Sequence, residues 1–392
     1  MPRTTESARE RAAARFLLLA AATLFAMLLR VRFFPFESGD YHQFLRGWVA
    51  AIRQNGGLAS VGLDLGDYMP PYFYLLALLS YLPFRDLFLI KLLSCAADVI
   101  LAFFVMRLVE LKYPDGFAGP AAYAAVLFLP SVFLNSAAWG QCDAIYTAAL
   151  VACVYYFALG KEKSAVAAFS VAFVFKLQAV FLAPFVLLML LKGRLRARNL
   201  LIFPAVYLLA ILPAALMGRD FLSLLTVYFR QAGQYDLISM YLPNLYTWFP
   251  EHTAPWVSTL AVLAAGALVL LSLWYLCRRE FAFTDGMTVS LALYFVLLVP
   301  YFLPHMHERY FYPADVLSVA FAFYYPEKFY VPVVTGLCSA YAVCHNLFSF
   351  HFVNVRLLSV MMLFILIWVA VHVIYLIRDG SGKNRVVRAW RG

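Results

Sequence analysis

Four carboxylates, Glu37, Asp40, Asp64 and Asp67, fall within Phe36 to Leu76, a stretch set between strongly apolar segments. A carboxylate held at a membrane surface can take a proton from a hydroxyl group. Far along the chain stands a second constellation, His305-Met306-His307-Glu308-Arg309. There His305, Glu308 and Arg309 sit at i, i+3 and i+4 where an apolar run begins, so a helix N-terminus, an arginine and a histidine would point the same way. Backbone N–H groups and a cation together make a phosphate site. A proton acceptor and an anion binder are therefore both available.

Each candidate also has a plainer role. Ser38-Gly39-Asp40 ahead of a helix is what an N-cap looks like, and Glu308 could simply pair with Arg309 in an interfacial cluster. Asp67 could cap the helix that Pro70 and Pro71 start, or touch a substrate. Gln141 and Asp143 could orient a substrate or cap the following helix. Lys176, between two short apolar helices, is either a phosphate ligand or a turn lysine. Lys91 and Asp98 lie seven apart, on one helical face, and read as an intramembrane pair.

The elements that must position these groups are membrane elements. With 64% hydrophobic and 13% charged residues over 392 positions, the chain is no soluble globular domain, whose charged share is about 25%. The net charge of +10 could suggest nucleic acid. In a polytopic membrane chain it instead marks cytoplasmic loops, and no nucleic-acid partner is expected. Cys95, Cys142, Cys153, Cys277, Cys338 and Cys344 are scattered through apolar runs, without metal spacing or a disulfide framework.

In order, Phe16 to Leu29 reads as an uncleaved anchor with a cytoplasmic N-terminus, extended to Phe34 if Arg30 and Arg32 snorkel outward. The first outer loop, 35–87, follows. In it Tyr41, Phe44, Leu45, Trp48 and Ile52 recur at three or four, opposite His42, Gln43, Arg46 and Arg53, which predicts an amphipathic interfacial helix. Tyr72 to Phe84 is too short to cross a bilayer needing about 20 residues and reads as re-entrant or interfacial.

Further spans are expected at Phe88–Leu108, Ala118–Ala137, Ala144–Leu159, Ala165–Phe175, Ala179–Leu191 and Leu200–Met217. A second outer loop, 218–255, holds an expected amphipathic helix from Asp220 to Arg230. Spans then follow at Trp256–Leu276, Met287–Leu303, Phe311–Tyr325, Tyr330–Phe348 and Leu357–Ile377, and 378–392 forms a basic cytoplasmic tail. This gives about 12 transmembrane helices in one integral membrane domain, 1–392, all-α, with most of the 31 Lys and Arg on the cytoplasmic side or tails. It also puts Asp40, Asp67, Lys91, Asp98, Trp139 to Asp143, Lys176, Gln178, Asn244 and His305 to Arg309 near one outer face. Ionisable groups at membrane depth are functional candidates.

Gly39-Asp40-Tyr41 with Trp48 seven residues on, then Asp67-Tyr68-Met69-Pro70-Pro71, then Pro304-His305-Met306-His307-Glu308-Arg309 resembles the ordered motifs of the dolichyl-phosphate-glucose-dependent glucosyltransferases. Asn135-Ser136-Ala137-Ala138-Trp139-Gly140-Gln141-Cys142-Asp143 resembles a segment of the bacterial relatives of the GPI-anchor second mannosyltransferase. The chain departs from the first pattern in Met69, inserted before the prolines, and in Arg309, where that family has Lys. The resemblance implies a GT-C fold in a bacterial inner membrane, a polyprenyl-phosphate-linked sugar donor, and inverting transfer on the periplasmic or exterior face. It makes Asp40 the base, with Arg309, His305, His307 and Lys176 meeting the donor phosphate. Asp67, Gln141, Asp143 and Glu308 would bind or orient substrate.

Inverting transfer needs one carboxylate in line with the anomeric carbon and cations on the leaving phosphate. With Glu37-x-x-Asp40 and Asp64-x-x-Asp67 but no Asp-x-Asp on the outer face, no metal or other cofactor is indicated. Glucose and mannose are the family-based expectations for the sugar, and the acceptor is a glycan, a lipid-linked glycan or a protein. The competing class is a transporter or flippase of lipid-linked sugars; the clustering of polar motifs on one side, and the lack of similar halves, weigh against it.

Overall fold

The computed structural model describes residues 2–232 and 236–389, and side chains over 9–231 and 236–379. Among the described residues seven helices are long and apolar enough to cross a membrane: Arg9–Val31, Asp86–Glu110, Ala197–Leu216, Pro255–Cys277, Asp285–Phe302, Pro326–Phe348 and Val355–Asp379. Ala118–Leu127 and Pro130–Trp139 make an eighth if taken as one span bent by 48°. The bend falls at Pro130, which cannot donate to the preceding turn and holds Leu129 extended. The chain is a multi-pass membrane protein.

Twelve full-length spans are not what forms among the described residues. Asp143–Ala158 has 16 residues, Glu162–Phe175 has 14 and Tyr312–Tyr324 has 13. The Leu177–Leu191 run opens as a 3-10 helix over Leu177–Leu182. At 1.5 Å per residue such helices reach about 20–24 Å, short of a core about 30 Å thick. Asp285–Phe302 lies at the centre, with 83% of its apolar window buried, whereas Arg9–Val31 and Ala197–Leu216 are mostly open to lipid.

Buried charges tie the helices together, in pairs other than those expected. Arg30 does not snorkel; it is fully buried, with Nε and Nη2 each 2.9 Å from Oδ2 of Asp98. Ser136 donates to the same carboxylate at 2.6 Å. Lys91, therefore, does not pair with Asp98. Its ammonium donates to the carbonyls of Phe33, Phe34 and Phe36 at 2.9, 3.3 and 2.5 Å, closing the exposed end of the first helix. At the opposite end of these helices Glu110 pairs with Arg15 and, at 2.9 Å, with Arg107.

The segment expected as the first outer loop folds as a continuous helix over 39–54, with a π-turn at Tyr41–Leu45 followed by Arg46–Gln54. Tyr41, Leu45, Val49 and Ile52 are its buried face. A 3-10 turn, Gly57–Gly62, leads to the ten-residue helix Pro70–Leu79, half the length of a span. Met69, not Asp67, stands at the cap of that helix.

In the second outer loop the expected helix from Asp220 to Arg230 is two short ones, Phe221–Leu225 and Val227–Ala232. Ser239–Met240 then pairs in parallel with Met306–His307. Asn244 anchors the loop, donating to the carbonyls of Pro300 and Leu303 at 3.2 and 3.1 Å. The basic tail continues the last helix, Val355–Ala389, and residues 390–392 lie outside the described residues.

Candidate active site

Three local structures deliver the site. In the first, Ser38 rather than Asp40 caps the helix: its hydroxyl accepts from the Tyr41 N–H at 3.3 Å and donates to the Trp139 carbonyl at 2.9 Å. Asp40 makes no cap bond. It stands in the first turn with its side chain 29% exposed, reachable from solvent.

The second structure is the break in Asn135-Ser136-Ala137-Ala138-Trp139-Gly140-Gln141-Cys142-Asp143. A π-turn over Leu134–Trp139 ends at Gly140, whose φ of 79° requires the left-handed region that favours glycine, and a new helix begins at Asp143. Helix interruptions of this kind gather several side chains at one depth. Here they aim Asn135, Gln141 and Asp143 at one neighbourhood.

The third is the segment after Pro304. No helix covers 305–309: Met306–His307 is an edge strand, residues 308–311 turn, and the next helix starts at Tyr312. The expected helix N-terminus at Glu308 and Arg309 is therefore absent, because the 305–307 backbone is committed to the second outer loop. His305, at φ 60°, sits within that tie. Its N–H donates to the Ile238 carbonyl at 2.8 Å, and its ring nitrogens lie 2.7 Å from the Leu237 carbonyl and 3.0 Å from Ser258 Oγ.

What converges is a pocket of about 120 Å³ lined by Asp40, Trp48, Asp67, Tyr68, Gln141, His307, Glu308, Arg309 and Asn346, with Phe44 and Leu45. Gln141 joins its walls: Nε2 donates to Asp40 Oδ2 at 2.5 Å, and Oε1 accepts from the Tyr68 hydroxyl at 3.3 Å. Arg309 faces Asp40 with Nη1 3.9 Å from the same Oδ2. Its guanidinium lies over the Trp139 ring, 4.8 Å from the centroid. Nε is 3.4 Å from Asp143 Oδ2 yet has no hydrogen-bond partner.

Behind Arg309, Asp143 is fully buried, takes the Asn135 amide at 2.8 Å and is paired by Lys176. Neither Asp143 nor Lys176 lines the pocket. The structure thus brings Asp40, Asp67, Gln141, His307, Glu308 and Arg309 around one cavity, sets Lys176 and Asp143 behind it, and leaves His305 in the adjoining loop.

The electrostatics fit an anion receptor with a proton acceptor opposite. Burial works against the Arg309 charge, but the carboxylates of Asp143, Asp40 and Glu308 outweigh it and hold the guanidinium firmly protonated. Burial also pushes the Glu308 carboxyl up. His307 and Arg309 overcome that and keep it below the ordinary range. The Tyr68 phenol is raised well above its usual value, by burial first and the nearby Cys142 second, so it stays a neutral donor. Among the described residues no group of three His, Cys, Asp or Glu could hold a metal ion.

The sequence reading passed over Asn346, which donates to Glu308 Oε1 at 2.7 Å. Its signal was there: His345-Asn346 is a polar pair near the outer end of the apolar helix Tyr330–Phe348.

No family model and no curated protein matches this chain. Among solved structures it is similar to the crystal structure of ArnT from Cupriavidus metallidurans bound to undecaprenyl phosphate. The TM-score is 0.56 and the identity 14%, over 94% of this chain and 73% of that one. The chain thus shares its fold with ArnT.

Proposed function

We propose that the protein is an inverting glycosyltransferase that moves a hexose, glucose or mannose by the motif resemblance, from a polyprenyl-phosphate carrier to an acceptor hydroxyl. The work is done on the extracytoplasmic face of a bacterial inner membrane, with both termini cytoplasmic. The observation that carries this reading is the solvent-reachable carboxylate of Asp40 beside a buried, firmly charged Arg309, 3.9 Å apart on the wall of one small pocket. ArnT, whose fold the chain shares, is described with undecaprenyl phosphate bound, which supports the choice of donor.

In this reading the acceptor hydroxyl gives its proton to Asp40 as its oxygen bonds to the anomeric carbon. The bond from that carbon to the phosphate oxygen breaks on the opposite face, and polyprenyl phosphate leaves with the electron pair. Gln141 and Arg309 both meet Oδ2 of Asp40, leaving Oδ1 for the hydroxyl. Arg309 and His307 meet the leaving phosphate; hydrogen-bond donors and charges placed where charge develops are usually the largest single source of such catalysis.

Lys176 acts indirectly, through Asp143, which aims the arginine. Asp67 and Glu308 position substrate and His307 respectively. The sugar acceptor is a glycan, a lipid-linked glycan or a protein.

The experiment is turnover of radiolabelled undecaprenyl-phosphate hexoses by the purified protein in lipid nanodiscs, with membrane extract as acceptor source. Release of undecaprenyl phosphate with label retained in a glycoside supports the reading; intact donor throughout, with water and extract both available, contradicts it.

A further inference from the structure

Beside the Asp40 pocket lies a second cavity, of about 220 Å³, between the two outer loops. Its walls are Asp64, Gly66 and Asp67 from the first loop and Val227, Arg230 and Gln231 from the second. Asp67 lines both cavities. Gly66 forms the partition with Trp48: a Cβ added at Gly66 would lie 2.5 Å from Trp48 Nε1, and Trp48 itself lines the Asp40 pocket. The two spaces therefore adjoin at Asp67 and at the Gly66–Trp48 contact.

The lining is pre-organised and nearly charge-balanced. Asp64 is held by Arg219 Nη2 at 2.5 Å and by Arg230 Nη1 at 3.1 Å, and Gln231 donates to the Asp67 carbonyl at 2.9 Å. On the lining Asp64 and Asp67 stand with Arg230, and Arg219 neutralises Asp64 from outside it, so the cavity carries no strong net charge to select an anion or a cation. Carboxylate oxygens, guanidinium N–H groups, a side-chain amide and the open Gly66 backbone are instead the donors and acceptors that neutral hydroxyls need. The volume is below the roughly 300–1,000 Å³ of sites for larger ligands, suiting a single ring.

We propose that this cavity seats the acceptor: the terminal ring of a neutral pyranoside, whose hydroxyl reaches Asp40 past Asp67. The inference rests on the transfer reading above and adds to it the acceptor's class and place.

The test uses the full-length protein in nanodiscs with undecaprenyl-phosphate hexose and a panel of octyl glycosides (gluco, manno and galacto) as acceptors. Donor KM and acceptor KM are measured separately for wild type, Gln231→Leu and Asp64→Asn. Losing one hydrogen bond to a neutral hydroxyl costs about 1 kcal/mol, a factor of about five, so each variant raises acceptor KM about fivefold and leaves donor KM within twofold.

Acceptor KM unchanged in both variants would overturn the proposal. So would donor and acceptor KM rising together, the mark of a clasp that only holds the loops. A wild type that hydrolyses donor but transfers to no octyl glycoside contradicts the single-ring acceptor while leaving the transfer reading intact. No donor consumption at all, by water or glycoside, defeats both.

Discussion

The amide of Gln141 donates to Asp40 at 2.5 Å while its oxygen accepts from the Tyr68 hydroxyl at 3.3 Å. One side chain thus fixes the carboxylate and is itself fixed by a buried phenol. In the proposed mechanism this selects the oxygen that meets the acceptor. A hydrogen bond to a charged group is worth about 1.5–3 kcal/mol. Gln141→Leu is therefore expected to lower kcat about tenfold to a hundredfold with donor KM little changed. Steady-state kinetics on the purified variant checks this.

Arg309 lies over the Trp139 ring, 4.8 Å from its centroid, with Asp143 and Glu308 carboxylates beside it. Lysine keeps the charge but has neither the plane nor the fork. Arg309→Lys should retain measurable turnover at about a tenth of wild type, and Arg309→Ala should lose about 10²–10³-fold, the cost of removing one transition-state charge partner. Equal turnover by both variants would show that the charge is not used.

The Arg30–Asp98 pair is fully buried. Removing one partner leaves an uncompensated charge and costs about 3–5 kcal/mol, whereas replacing both by apolar residues is often neutral. Arg30→Met and Asp98→Leu should each sharply lower the thermal midpoint in detergent, and the double variant should recover most of the loss. Additive losses would show that the two residues act separately.

Glu308 ionises more readily folded than unfolded, because His307 and Arg309 favour its charge. Its contribution to stability is therefore complete above the ordinary glutamate value of about 4.3 and is lost as the pH falls through the lower folded value. The thermal midpoint of wild type should exceed that of Glu308→Gln near neutrality, and the two should converge below pH about 4. A gap that stays constant well below that pH would place the stabilisation elsewhere.

The site was legible where chemistry and local structure coincide in the sequence. The run from Asn135 to Asp143 and the Ser38-Gly39-Asp40 turn each carry their own break or cap, which brings their residues to or just behind one cavity. Partners distant in the chain were not legible. Arg30 and Asp98 are 68 residues apart, and Lys91 finds its carbonyls in the turn that follows another helix; same-face spacing on one helix could not reveal either.

The segment from His305 to Arg309 fits a helix by spacing alone, but a parallel strand from the second outer loop captures it. The number of full-length helices differs from the expected twelve for a related reason. Apolar runs of 13–16 residues look like spans in sequence, yet here they pack as short helices inside the bundle.

The measurement that bears most directly on the central claim is donor turnover by Asp40→Asn beside wild type, with binding of the undecaprenyl-phosphate hexose followed on the same samples. The substitution keeps size and shape, and Ser38 keeps the helix capped, so the fold and donor binding should persist. Transfer should fall at least a thousandfold, the upper part of the general-base range of about 10²–10⁴. Transfer at the wild-type rate, with donor bound equally, would contradict the assignment of Asp40 as the base.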